Sequence, residues 1–212
     1  MRIRLEPRGV LVALEGIDGA GKSTQARELE RLLALAGFGV VRTREPTDGP
    51  WGRKLRESAT AGRLSPTDEL AAFVADRRQH VAEEIAPALA DGKIVLIDRY
   101  YFSSAAYQGA RGLDPDEIIR QNEAFAPEPD LLVILVVDPA GGVARVGQRG
   151  QHDHFEREAD LARSAAIFAR MDKPYLIRID ATRPAGEITA AILTALAHGP
   201  MARWAELLPA KK

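Results

Sequence analysis

The segment Gly16-Ile17-Asp18-Gly19-Ala20-Gly21-Lys22-Ser23 constrains this chain most. It follows the short apolar run Gly9–Glu15 and opens a helical pattern from about Lys22 to Ala36. A glycine-rich turn between a buried strand and a helix lets backbone N–H groups converge on phosphate oxygens, with the positive end of the helix dipole behind them. In such a loop Gly16, Ile17, Asp18, Gly19, Ala20, Gly21 and Thr24 surround the phosphates of a nucleoside triphosphate. Lys22 reaches the outer phosphates, and the Ser23 hydroxyl is a ligand for Mg²⁺.

A strand that feeds such a loop needs a parallel sheet around it, and the rest of the chain supplies one. Strand-like composition returns at Phe38–Thr43, Lys93–Ile97, Asp130–Val137 and Tyr175–Asp180. Helical patterns fall between these runs, near Trp51–Ala61, Pro66–Leu89, Pro115–Phe125, Ala159–Met171 and Pro184–Ala197. Alternation of this kind predicts an α/β, three-layer phosphate-loop fold, a five-stranded parallel sheet flanked by helices with right-handed crossovers. Ser65 caps the longest helix and Pro66 opens it, while Pro87 is expected to kink its last turn or end it early. Gly141–Phe155 is poor in apolar residues and reads as a mobile loop between helices, a lid of about 141–156. With 212 residues the chain is expected to form one domain, 1–212.

A second motif is Ile94-Val95-Leu96-Ile97-Asp98-Arg99-Tyr100. An acid at the C-terminal edge of a parallel strand, beside the phosphate loop, is placed to orient Mg²⁺ or its waters, and Arg99 can then bridge phosphate groups.

The formal net charge of −1 argues against a broad basic face for nucleic acid. The basic residues are 23 Arg and 6 Lys, and only arginine grips phosphate with a planar fork. No cysteine is present, which excludes disulfides and thiolate chemistry and fits a reducing, cytoplasmic setting. No apolar run approaches the length of a membrane span and no signal-peptide core is visible at the start, so neither membrane nor nucleic acid is expected as a partner.

Taken with Leu14-Glu15, Thr24-Gln25, Thr43-Arg44-Glu45-Pro46, Phe73-Val74-Ala75-Asp76-Arg77-Arg78 and Ala106-Tyr107-Gln108-Gly109, these motifs occur in the order found in one family. The chain resembles the thymidylate kinases of the P-loop nucleoside monophosphate kinases. The resemblance implies transfer of a phosphoryl group from ATP to dTMP, with Mg²⁺ bridging donor phosphates, by a homodimer. It also implies that Arg77 and Arg99 hold the acceptor phosphate, that Phe73 stacks on thymine and that Asp18 meets the sugar hydroxyl or a water near the phosphates. Tyr107 would leave no room for a 2′-hydroxyl, and Ser104 and Gln108 would bond the thymine edge. Arg44 is a further acceptor-site residue, although Thr47-Asp48-Gly49 departs from the glycine-glycine-threonine of many bacterial relatives. Arg183 would lie by adenine.

Some relatives carry a catalytic arginine inside the phosphate loop, at the position of Gly19 here, so the cation is expected from the lid. There Arg149-Gly150-Gln151-His152-Asp153-His154-Phe155-Glu156 resembles the family's lid segment, with His152 and His154 replacing Leu and Arg. Arg149 is then the catalytic lid cation and Arg145 its companion on the ATP side. Two other readings stay open, a kinase of another nucleoside monophosphate or of a deoxynucleoside, and a nucleotide-dependent switch.

Overall fold

The structure is a computed structural model and describes residues 9–146 and 153–202, without the side chains of residues 60, 143–146 and 153–158. Arg145, Arg149, His152 and His154 therefore lie outside the described side chains.

Five strands form one parallel sheet in the order β2-β3-β1-β4-β5. They are β1 (Val10–Glu15), β2 (Val40–Arg44), β3 (Ile94–Asp98), β4 (Leu131–Val136) and β5 (Leu176–Asp180). β1 is the middle strand, its register running from Val10 opposite Ile94 to Leu14 opposite Asp98 on one side and from Val12 opposite Leu131 on the other. Its apolar side chains are buried on both faces, as a continuous Val-Leu-Val-Ala-Leu run requires.

The helices are α1 (Lys22–Leu35), α2 (Pro50–Ala61), α3 (Pro66–His80), α4 (Ala86–Ala90), α5 (Tyr101–Gly109), α6 (Pro115–Glu123), α7 (Pro139–Val146), α8 (Asp153–Arg170) and α9 (Ala185–His198). All five predicted strands are present. Two helices, α5 and α7, were not predicted, and α8 begins six residues before the Ala159 start expected for it. Residues 141–146 and 153–156 of the expected lid segment are helical.

Pro87 does not end its helix. Helical structure continues to Ala90, and the change comes one turn earlier, where Val81–Ile85 widens into a π turn and the Ala86 N–H donates to the Val81 carbonyl. Proline lacks a donor and its ring clashes with the carbonyl four residues back, so a wider preceding turn accommodates it without breaking the helix. The Ser65 cap stands as expected, its hydroxyl accepting from the Asp68 N–H at 3.1 Å.

Glu15, Arg44, Asp98 and Asp180 end four of the parallel strands on one edge of the sheet. Ligand sites in open α/β sheets lie along this edge.

Candidate active site

Two cavities open along the carboxyl edge. The larger, about 740 Å³, is lined by Asp18 through Gln25, Arg44, Arg56, Asp98, Arg99, Arg183 and neighbours. The smaller, about 240 Å³, is lined by Phe73, Arg77, Ser104, Tyr107, Gln108 and again Asp18 and Arg99. Asp18 and Arg99, together with Glu45 and Pro46, are common to both.

The phosphate loop leaves the start of α1 open. Gly21 precedes the helix at φ 93° with no side-chain cap, so the first N–H groups are available to an anion. Gly19 has φ 80°, and a Cβ there would lie 2.2 Å from the Gly142 carbonyl oxygen. An arginine at this position would need both a strained backbone and displacement of α7, which explains why this chain carries glycine. The Lys22 ammonium donates to the loop's own Gly16 and Ile17 carbonyls at 2.9 and 2.8 Å. Burial, with the charge of Arg99 behind it, brings Lys22 down to about 8 against the pull of Asp18, Asp98 and Glu15.

Ser23 and Asp98 meet directly, the hydroxyl donating to the carboxylate. The two oxygens form the kind of sparse donor set that suits Mg²⁺, an ion that keeps waters and takes most of its remaining ligands from substrate phosphates. No cluster of three or more His, Cys, Asp or Glu residues able to hold a metal occurs among the described residues.

Arg99 joins the two cavities. Its Nη2 donates to Asp18 at 2.5 Å and its Nη1 to the Ser103 hydroxyl at 3.1 Å, while the guanidinium lies 5.1 Å from the centre of the Tyr107 ring. Its backbone has φ 69°, the only positive value at a non-glycine position among the described residues. Holding a bulky residue there costs on the order of 1–3 kcal/mol, which surrounding contacts must offset. Desolvation works against the Arg99 charge, but Tyr107, Asp18 and Glu15 outweigh it and hold the pKa above the ordinary arginine value.

One of those contacts was not singled out in the sequence. Glu15, the last residue of β1, is wholly buried and accepts from the Tyr100 and Ser103 N–H groups at 2.8 and 3.0 Å and from the Ser103 hydroxyl at 2.6 Å. It caps α5 from another strand and steadies the serine that holds Arg99. Burial pushes its carboxyl up to about 7, against the hydrogen bonds from Ser103 and Tyr100 and the charges of Arg99 and Lys22. A lone carboxylate ending an apolar strand was the available signal.

Arg77 also lines the smaller cavity. Its guanidinium pairs with Glu45 at 2.6 Å, both side chains almost fully buried, and donates to Asn122 at 2.6 Å and to the Ser104 hydroxyl at 3.1 Å. A buried pair of this kind is strongly destabilising to break, so Arg77 is a fixed part of the cavity wall. Phe73, one turn earlier on α3, lines the same cavity. Asp76 organises the segment after β2, accepting from the Thr47 N–H and hydroxyl at 2.8 and 2.6 Å. Arg44 is exposed, pairs with Asp48 at 3.0 Å and lines the larger cavity and not the smaller. Arg56, which drew no attention in the sequence, joins it there and also bonds Asp48. Arg183 lines the larger cavity and pairs with Glu187 at 3.0 Å.

A family model described as thymidylate kinase matches residues 14–192. The chain belongs to the thymidylate kinase family. It is an ATP-dependent phosphotransferase of the P-loop class. Among its relatives, a thymidylate kinase of Xanthomonas campestris pv. campestris is 50% identical over 202 residues, covering 93% of this chain and 88% of its own. One from Akkermansia muciniphila is 49% identical over 191 residues, covering 90% and 93%. The match spans the phosphate loop, both cavity walls and the strands between them, so the family's fold and the site's geometry describe the same region of the chain.

Proposed function

We propose that the larger cavity takes ATP with Mg²⁺, that the smaller takes dTMP, and that the γ-phosphoryl group passes between them to give dTDP and ADP. The observation that carries this reading is the shared wall: Asp18 and Arg99 border both cavities, so donor and acceptor phosphates meet at one arginine. Phosphoryl transfer needs little covalent help from the protein. It needs the two phosphates in line and cations on the developing charge.

In this reading the loop N–H groups and Lys22 hold the donor phosphates, and Ser23 and Asp98 hold Mg²⁺, which when bound neutralises donor phosphate oxygens. Arg99 bridges donor and acceptor, with Asp18 setting its direction and meeting the sugar hydroxyl or a water. Phe73 stacks on the base, Tyr107 excludes a 2′-hydroxyl by steric clash, and Ser104 and Gln108 address the base edge. The resemblance puts Arg77 on the acceptor phosphate; held by Glu45 and Asn122 and donating to Ser104, which addresses the base edge, it is assigned here to the base. Arg44 sits with the phosphates in the larger cavity and Arg183 with adenine. Closure of the segment 141–156, bringing Arg149 and Arg145 over the phosphates, belongs to the same reading, because an open site would let water take the phosphoryl group. So do the homodimer and the cytoplasmic setting, with no helix among the described residues long and apolar enough to cross a membrane.

The test is ADP release measured across dTMP, dUMP, dCMP, dGMP and AMP. The expected result is the highest kcat/KM with dTMP. Preference for any of the other four would reassign the acceptor.

A further inference from the structure

The amide of Gln108 is held one way round. Its nitrogen donates to Glu69 Oε2 at 3.0 Å, and an ionised carboxylate only accepts hydrogen bonds, so the amide oxygen must face away. Glu69 is itself tied on every side: Arg63 donates to it at 3.0 and 3.3 Å, and Arg111 at 2.5 Å while also bonding the Leu64 carbonyl at 2.8 Å. Burial pushes the Glu69 carboxyl up, but the hydrogen bonds from Arg63 and Gln108 and the charges of Arg63 and Arg111 outweigh it, and the group sits below its ordinary value. At neutral pH it is therefore an acceptor only.

The consequence falls on the Gln108 oxygen. Gln108 is 2% exposed and lines the smaller cavity, yet its Oε1 accepts no hydrogen bond from the described residues. A buried acceptor left in this state is unfavourable, and a donor brought in by a ligand relieves it. Thymine and uracil present a ring N–H at position 3. Cytosine presents a lone pair at the same place, and two acceptors facing each other repel. If the amide were free to turn, its NH₂ would suit cytosine equally well; Glu69 forbids that turn because it would set the amide oxygen against a carboxylate. Glu69 also lies one turn before Phe73 on α3, so the group that fixes the amide and the ring that stacks on the base share one rigid element.

We infer that Glu69, by fixing the orientation of Gln108, is a specificity-determining residue that makes the smaller cavity select a pyrimidine with a ring N3–H over cytosine. The inference rests on the reading of that cavity as the acceptor site.

The test is the Glu69→Gln variant, with kcat/KM measured for dTMP, dUMP and dCMP. A glutamine at 69 can donate as well as accept, which frees the Gln108 amide to turn. The dTMP-to-dCMP ratio is expected to fall by about tenfold or more, through a higher KM for dTMP and a gain with dCMP, while the dTMP-to-dUMP ratio stays unchanged. Should both substrates lose the same factor, Glu69 serves the fold alone and the inference is overturned. Since Glu69→Gln leaves two arginines facing a neutral amide, the Glu69→Gln/Arg111→Gln double variant gives the same readout with one cation removed, and the same outcomes apply. Wild-type protein assayed with dGMP and AMP alongside these three separates the two levels: if it fails to prefer dTMP over the purine nucleotides, the acceptor reading itself falls. If it prefers dTMP and the variant ratio does not move, only the role of Glu69 falls.

Discussion

Replacing Arg99 by Met is expected to lower kcat by about 10³-fold or more while changing the KM for ATP only slightly. The magnitude follows from position. Arg99 is the cation on the wall between the cavities, and its direction is set by Asp18, Ser103 and the Tyr107 ring at once. A transition state with charge spread over the transferred group is stabilised there by a donor that needs no reorganisation, and the ground state gains less. The Met variant also leaves Asp18 beside the donor phosphates without its counter-charge, which adds repulsion where attraction was needed. Arg99→Lys keeps the charge and loses the fork, so it should recover only part of the rate. A kcat within tenfold of wild type for Arg99→Met would mean that the bridging cation lies elsewhere, with Arg149 as the next candidate.

The second large effect is expected at Lys22. Lys22→Met should reduce kcat/KM for ATP by about 10²–10³-fold, because the donor phosphates lose the cation closest to them. The same lysine makes nucleotide binding pH-dependent, with a sign that follows from the site. In the free protein Lys22 is near 8 and Glu15 near 7, both held away from their ordinary values chiefly by burial. A polyanion arriving beside them favours the protonated form of each and raises both values. ATP binding near pH 8 is therefore coupled to net proton uptake, with Lys22 as one of its sources. Calorimetry in buffers of different ionisation enthalpy measures this directly. Lys22→Met should remove the lysine contribution, and net proton release by the wild-type protein would contradict the electrostatic account of the loop.

The donor half of the site is legible in the sequence because it is local. The strand, the glycines, Lys22 and Ser23 are consecutive, and each follows from the geometry a phosphate demands. The acceptor half is assembled from distance: Glu45 meets Arg77, Arg77 meets Asn122, and Glu15 meets Ser103 across 88 positions. No local pattern marks such pairs, and the four-residue spacing of Phe73 and Arg77 says only that both face one cavity, not that Arg77 is bound there to Glu45, Asn122 and Ser104. The helix Tyr101–Gly109 escaped notice for a related reason. Six of its nine residues are buried, so it lacks the polar face from which a helical period is read. Pro87 shows the converse, a strong local signal absorbed by the π turn before it.

Direct passage of a phosphoryl group between two cavities that meet at Asp18 and Arg99 leaves a signature in the products. The most direct measurement is the stoichiometry of products in a single reaction with ATP, Mg²⁺ and dTMP. One dTDP is expected for each ADP released, with ADP release slower by at least about 10³-fold when dTMP is left out. ADP release that proceeds at the same rate without dTMP, with phosphate as its product, would contradict direct passage and would mark the chain as a nucleotide hydrolase of the switch type.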